Sequence, residues 1–144
     1  MGRVMKEGLP FSILLVDDDL DDQQVMDEAF MELDYGTEVK KLLNGKALLH
    51  YLEIVDPSTY PSLIVLDNTL PEMDAANLLS ILKANPFYNE IPVVVYTTTL
   101  TPFKEEQLVA KGAYACYEKG STMKEVLEVA KKLKSMAQNN LQEP

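Results

Sequence analysis

Five short apolar runs punctuate the chain: SILLV at 12–16, EVKKLL at 38–43, LIVL at 63–66, IPVVVY at 91–96 and AYACYE at 113–118. The stretches between them are each long enough for a helix. Strands that alternate with helices are joined by crossovers, and crossovers make neighbouring strands parallel. The third and fourth runs are apolar throughout, as in strands buried on both faces, whereas Lys40 and Lys41 make the second run mixed and suit it to an edge. The first, third and fourth runs are therefore expected at the centre of an α/β fold, a parallel sheet with helices on both faces.

The intervening segments carry helical spacing. Met26, Ala29, Phe30 and Leu33 recur at i, i+3, i+4 and i+7, and Leu48, Leu49 and Leu52 share one side of the next segment. Ala75, Leu78, Leu79 and Leu82 repeat the pattern until Asn85-Pro86 stops it. Thr101-Pro102 reads as an N-cap with proline in the first helical position. Thr122 with Glu125 reads as a capping box for a last helix marked by Met123, Val126, Leu127, Ala130 and Leu133. Over 102–111 only Phe103, Leu108 and Val109 form an apolar stripe, so this helix is expected to be the least firmly docked. IVDPSTYP at 54–61 reads as a helix-to-strand loop, and QNNLQEP at the end as a frayed tail. No repeat, low-complexity segment or long linker divides the chain, so one domain is expected over 11–138, with flexible termini at 1–10 and 139–144.

A hydrophobic content of 47% over 144 residues is enough for one core, and the formal net charge of -10 repels polyanions. Nucleic acids and anionic membrane surfaces are therefore not expected partners. No apolar run approaches the ~18 residues that span a bilayer, and MGRVMKEGLP lacks the apolar stretch of a secretion signal. Lys6 stands where an N-myristoylation motif starting at Gly2 needs Ser or Thr. The one cysteine, Cys116, has no partner for an internal disulfide, in keeping with a reducing compartment. A soluble cytoplasmic protein is expected.

The first apolar run stops against DDDLDD, five aspartates within positions 17–22. In an open parallel sheet ligands bind beyond the carboxyl ends of the strands, near the point where strand order reverses. Asp17 and Asp18 follow the first run, Asp67 the third, Thr97 with Thr98 and Thr99 the fourth, and Lys119 the fifth. If these ends are neighbours, three acids, a hydroxyl and an ammonium converge. Clustered carboxylates repel one another unless a cation compensates, and oxygen ligands with room for water suit Mg²⁺. A lysine and a threonine facing that metal match the needs of a phosphoryl group, whose charge must be neutralised from several sides. The site is expected to handle phosphate on a carboxylate.

Several plainer readings compete. Asp19, Asp21 and Asp22 are read as acids at a helix start, where the dipole favours them. Asp17, Asp19, Asp21 and Glu28 fit positions of a calcium loop, but the glycine its turn requires is Asp22, and a strand-like run precedes it. His50, the only histidine, lies beside Leu48, Leu49 and Leu52 and is read as partly packed, so hydrolase triads are excluded.

ILLVDDD, LIVLDNTLPEMD, PVVVYTT and GAYACYEK together resemble the four signatures of the receiver domain of two-component response regulators, over about 12–135. The resemblance implies a flavodoxin-like doubly wound fold, five parallel strands in order 2-1-3-4-5 with five helices. It implies Asp67 as phosphoacceptor, Asp18 and Asp67 as direct Mg²⁺ ligands, Asp17 acting through water, and the Thr69 backbone carbonyl completing the set. Lys119 would pair with phosphoryl oxygens, and Thr97 would swing its hydroxyl toward them and move the following loop. Such a protein is no enzyme in the ordinary sense but catalyses its own phosphorylation and dephosphorylation with Mg²⁺. Its partners would be a histidine kinase or histidine phosphotransfer protein, a downstream protein, and a second copy through the 102–138 face.

LLSILKANPFYNEIPVVVYTTT is similar to stand-alone receivers that partner phytochrome-type kinases, and no second domain is expected after the last helix. Four positions depart from the family: Ala75 for glycine, Thr98 for a smaller residue, Gly120 for proline and Cys116 for the aromatic switch residue. The competing functions are a Mg²⁺-dependent phosphohydrolase with Asp17 as nucleophile, and a scaffold that never needs phosphate. Asp21 stands where that hydrolase motif expects Thr or Val, and the chain is short for its cap.

Overall fold

The computed structural model describes residues 12–33 and 39–142. The segment 1–10 expected to be flexible, Glu38 of the second apolar run and residues 143–144 lie outside the described residues. The described elements are β1 (Ile13–Val16), α1 (Leu20–Glu32), β2 (Val39–Leu42), α2 (Gly45–Ile54), β3 (Leu63–Asp67), α3 (Ala75–Ala84), β4 (Val93–Thr97), α4 (Pro102–Ala110), β5 (Ala115–Glu118) and α5 (Met123–Gln142). The strands are parallel and lie in the order β2-β1-β3-β4-β5, the flavodoxin-like arrangement expected.

Strand alternation divides the apolar residues between two layers. Leu14, Val16, Ile64, Leu66, Val93 and Val95 face α2, α3 and α4, while Ile13, Leu15, Leu63, Val65, Val94 and Tyr96 face α1 and α5. This double coverage explains why β3 and β4 are buried at every position and the edge strand β2 at none. Each helix starts on a side chain that accepts a backbone N–H: Asp19 for α1, Asn44 for α2, Asp74 for α3 and Thr101 for α4. At α5 the capping box closes both ways, with Glu125 N donating to Thr122 Oγ1 at 3.2 Å and Thr122 N to Glu125 Oε1 at 3.3 Å.

The structure departs from sequence expectation in three places. His50 is exposed, not partly packed, because the buried face of α2 runs through Leu48 and Leu52 and leaves position 50 on the far side. The 54–61 segment is not all loop: Pro57–Thr59 form a short 3-10 turn capped by Asp56. The last helix continues through Gln142, past the boundary at 138, with Ala137 still fully buried on its apolar stripe. No described helix is long and apolar enough to cross a membrane.

Docking strength differs sharply between neighbouring helices. α3 buries Ala75, Leu78, Leu79 and Leu82, whereas α4 buries Leu108 alone and leaves Phe103 and Val109 exposed. At about 2 kcal/mol per buried leucine, α3 has some 4 kcal/mol more holding it to the sheet. Amide hydrogen exchange is therefore expected to be markedly faster over 102–110 than over 75–84. Equal protection of the two helices would show that α4 is held by something other than its packing.

Candidate functional site

Sheet register builds the site. Val16 of β1 pairs with Leu66 of β3, so Asp17 and Asp67 emerge side by side at the carboxyl end of the sheet. Asp67 pairs with Tyr96 and Thr97 with Glu118, which puts Thr97 and Lys119 at the neighbouring strand ends. Asp18 follows on the turn into α1. Carboxylate oxygens of Asp17, Asp18 and Asp67 all lie within 4.8 Å of one another. Asp17 and Asp67 are buried and Asp18 is exposed, so the cluster has a closed floor and an open mouth.

Main-chain bonds hold these positions. Asp17 N donates to Leu42 O at 3.0 Å, and Lys119 N donates to Thr97 O at 2.7 Å. The buried Gln23 amide donates to Asp17 O at 2.8 Å and Leu42 O at 2.9 Å, tying the β1 end to β2. Asp17 Oδ1 accepts from Asp19 N at 2.9 Å, while Asp19 also caps α1 through Asp21 N and Asp22 N. Asp19 is thus the N-cap of α1, in keeping with its reading as an acid at a helix start.

Lys119 is the counter-charge. Its Nζ lies 2.8 Å from Asp22 Oδ2, 2.9 Å from Asp17 Oδ2 and 3.4 Å from Asp67 Oδ1, and 5.8 Å from the centre of the Tyr96 ring. Burial works to lower the lysine pKa, but the hydrogen bonds to Asp22 and Asp17 outweigh it and hold the ammonium above its ordinary value. Burial raises the Asp17 carboxyl pKa, against the opposing pull of Lys119 and the Asp19 N–H and with a further push from Asp67. Three carboxylates thus face a single ammonium, and negative charge is left over. A hard divalent cation with water in its shell fits that donor set.

Thr97 is buried, and its hydroxyl has no hydrogen-bond partner among the described residues, so it is free to turn to a new acceptor. Thr98 and Thr99 are exposed. Thr69 reaches the site with its hydroxyl, which donates to Asp67 Oδ2 at 3.4 Å. A Cβ on Gly120 would stand 2.5 Å from Glu125 Cβ, so the tight approach of α5 accounts for glycine after the lysine. Cys116 is buried in the layer that holds Leu108, and burial pushes its thiol up to about 11.

Three contributors escaped sequence reasoning. Asp22 had been assigned to the helix dipole alone, yet it makes the shortest contact to Lys119 across 97 positions of sequence. Gln23 carried a legible signal: it is polar but stands three residues before Met26 on the apolar face of α1. Tyr96 was hidden inside an apolar run.

Comparison with known proteins agrees with this geometry. The family description "Response regulator receiver domain" matches residues 13–131. The chain is 35% identical over 100 residues to the probable methanogenesis regulatory protein FilR2 of Methanothrix harundinacea, covering 68% of this chain and 64% of that protein. It is 36% identical over 93 residues to response regulator Rcp1 of Synechocystis sp., covering 62% of this chain and 63% of that one. The chain therefore spans just under two thirds of the length of these two relatives. The crystal structure of the Mn²⁺-bound form of Rcp1 superposes with a TM-score of 0.76 at 27% identity, over 88% of this chain and 93% of that one. The convergent strand ends and the family match lead to one conclusion: this chain belongs to the response regulator receiver domain family.

Proposed function

We propose that the protein is a phosphoacceptor in a two-component phosphorelay, taking a phosphoryl group on Asp67 from a histidine kinase or histidine phosphotransfer protein. The observation that carries this reading is the placement of Asp67. It shares an oxygen cluster with Asp17 and Asp18 within 4.8 Å while its Oδ1 lies 3.4 Å from Lys119 Nζ. Among the described residues its Oδ2 has only the long 3.4 Å contact from Thr69, so that oxygen is the available nucleophile. Asp17 is poorly suited to that part, since Oδ1 accepts from Asp19 N and Oδ2 from Lys119, which weighs against the phosphohydrolase reading.

An Asp67 oxygen attacks phosphorus, the bond from phosphorus to the donor nitrogen or oxygen breaks, and the leaving group departs with the electron pair. Asp17, Asp18, Asp67 and the Thr69 backbone carbonyl would hold Mg²⁺, which when bound neutralises phosphoryl oxygens and offsets repulsion from the acids. Lys119 pairs with another phosphoryl oxygen, and Thr97 turns its hydroxyl to a third. That turn pulls the 98–101 loop, whose Leu100 N–H is bonded to Glu118 Oε2 at 3.3 Å, and so loads the weakly seated α4. Signalling follows by protein contact. Exposed Phe103, Val109 and Tyr114 support the 102–138 face as the place for a downstream partner or a second copy. A cytoplasmic setting suits this chemistry.

Acetyl phosphate with Mg²⁺ is expected to add one acid-labile phosphoryl mass to the protein, and Asp67→Asn to abolish it without unfolding the chain. A label that survives, or maps to Asp17, would restore the phosphohydrolase. In metal-free buffer Asp18→Asn relieves repulsion at an exposed acid that no described cation offsets, so thermal melting should show stabilisation of about 0.5–1 kcal/mol. Destabilisation there would count against a clustered site.

Cys116 is too small to act as the family's swinging aromatic. Beryllofluoride with Mg²⁺ should therefore shift amide resonances of Thr97 and 98–101 more than those of α4, and Cys116→Tyr should extend the shifts into α4. Large shifts along the whole of α4 in the unmodified protein, unchanged by the tyrosine, would point to another route of coupling.

A further inference from the structure

Lys119 has one anionic partner more than the phosphoacceptor site requires. Its ammonium has three N–H donors, and three carboxylates lie within reach, at 2.8 Å for Asp22, 2.9 Å for Asp17 and 3.4 Å for Asp67. Asp17 and Asp67 belong to the converging oxygen group, and the ammonium pairs with both. Asp22 does not belong to that group. It sits in the first turn of α1, its side chain 39% exposed, yet it makes the shortest of the three contacts.

A divalent cation and an ammonium draw on the same two carboxylates, Asp17 and Asp67, and they repel each other. As the cation enters, Lys119 must give up those two carboxylates. Its side chain is only 11% exposed and its main-chain N–H is fixed on Thr97 O at 2.7 Å, so withdrawal into bulk water is not open to it. Asp22 offers a nearer resting place on a rigid support, with its own N–H bonded to Asp19 Oδ1 at 3.2 Å. We infer that Asp22 is a positioning residue for Lys119: it retains the ammonium while the cation takes Asp17 and Asp67. Asp22 thereby clears the metal site of its internal competitor and keeps Lys119 beside the point where the phosphoryl group arrives. The inference rests on the metal and phosphoacceptor reading above and assigns to Asp22 a role beyond favouring the helix dipole.

The test is Mn²⁺ titration of the metal-free full chain, read by the electron paramagnetic signal of free Mn²⁺, for the unmodified protein, Asp22→Asn, Asp21→Asn and Asp67→Asn. Asp21 lies in the same turn, exposed and without a Lys119 contact, so its variant removes the same charge and nothing more. Asp22→Asn is expected to weaken Mn²⁺ binding roughly fivefold, as befits a part-exposed ion pair, and Asp21→Asn by less than twofold. Equal losses in the two variants, or tighter binding by Asp22→Asn, would overturn the inference and leave a general field effect. No binding by the unmodified protein, or binding untouched by Asp67→Asn, would instead overturn the metal reading and the inference with it.

A second measurement needs no variant. In the unmodified protein saturated with Mg²⁺, the Lys119 ammonium resonance should stay protected from solvent exchange and keep its proximity to Asp22. Loss of both on adding metal would show that Lys119 leaves for water and that Asp22 holds nothing.

Discussion

The carboxyl end of this sheet depends on one ammonium group facing too many carboxylates. Parallel strands in register deliver Asp17 and Asp67 side by side, and the turn into α1 adds Asp18. Left alone, such a cluster pushes itself apart or takes up protons. Lys119 prevents both by standing among the acids, and its position is secured from several directions: the main-chain bond to Thr97, the face of Tyr96, and the close approach of α5 that only glycine at 120 permits. The imbalance that remains is the basis of the proposed affinity for a cation and then for a phosphoryl group.

Much of this was legible in one dimension because the fold is built from simple periodicities. Apolar runs ending in acid, acid, threonine and lysine locate four strand ends, and the parallel alternation of strands and helices brings such ends together. Asp17, Asp18, Asp67, Thr97 and Lys119 are therefore legible as strand-end neighbours from the sequence. The thin stripe on α4 was equally plain, since three apolar positions in ten residues leave little to bury.

What escaped depends on directions that spacing does not encode. Asp22 and Lys119 meet only because α1 crosses back over the sheet at a particular angle, and nothing around Asp22 marks it apart from Asp21. His50 sits among leucines in sequence but turns outward, because a helix rotates a residue two positions from its neighbour to nearly the opposite side. The extent of α5 was hidden for a related reason: the polar composition of its last turn carries no apolar periodicity, although the backbone stays helical through Gln142. Gln23 alone could have been found, by asking why a polar side chain occupies the buried face of α1.

The scant seating of α4 has a thermodynamic corollary. A helix that one buried leucine holds in place has little packing free energy to lose on displacement, so a modest bias is enough to shift it. Such an element responds in proportion rather than by an abrupt step. On the proposed function this implies a basal output: some fraction of molecules presents the partner-binding surface before any phosphoryl group arrives, and the partner's affinity sets how much of that fraction is read.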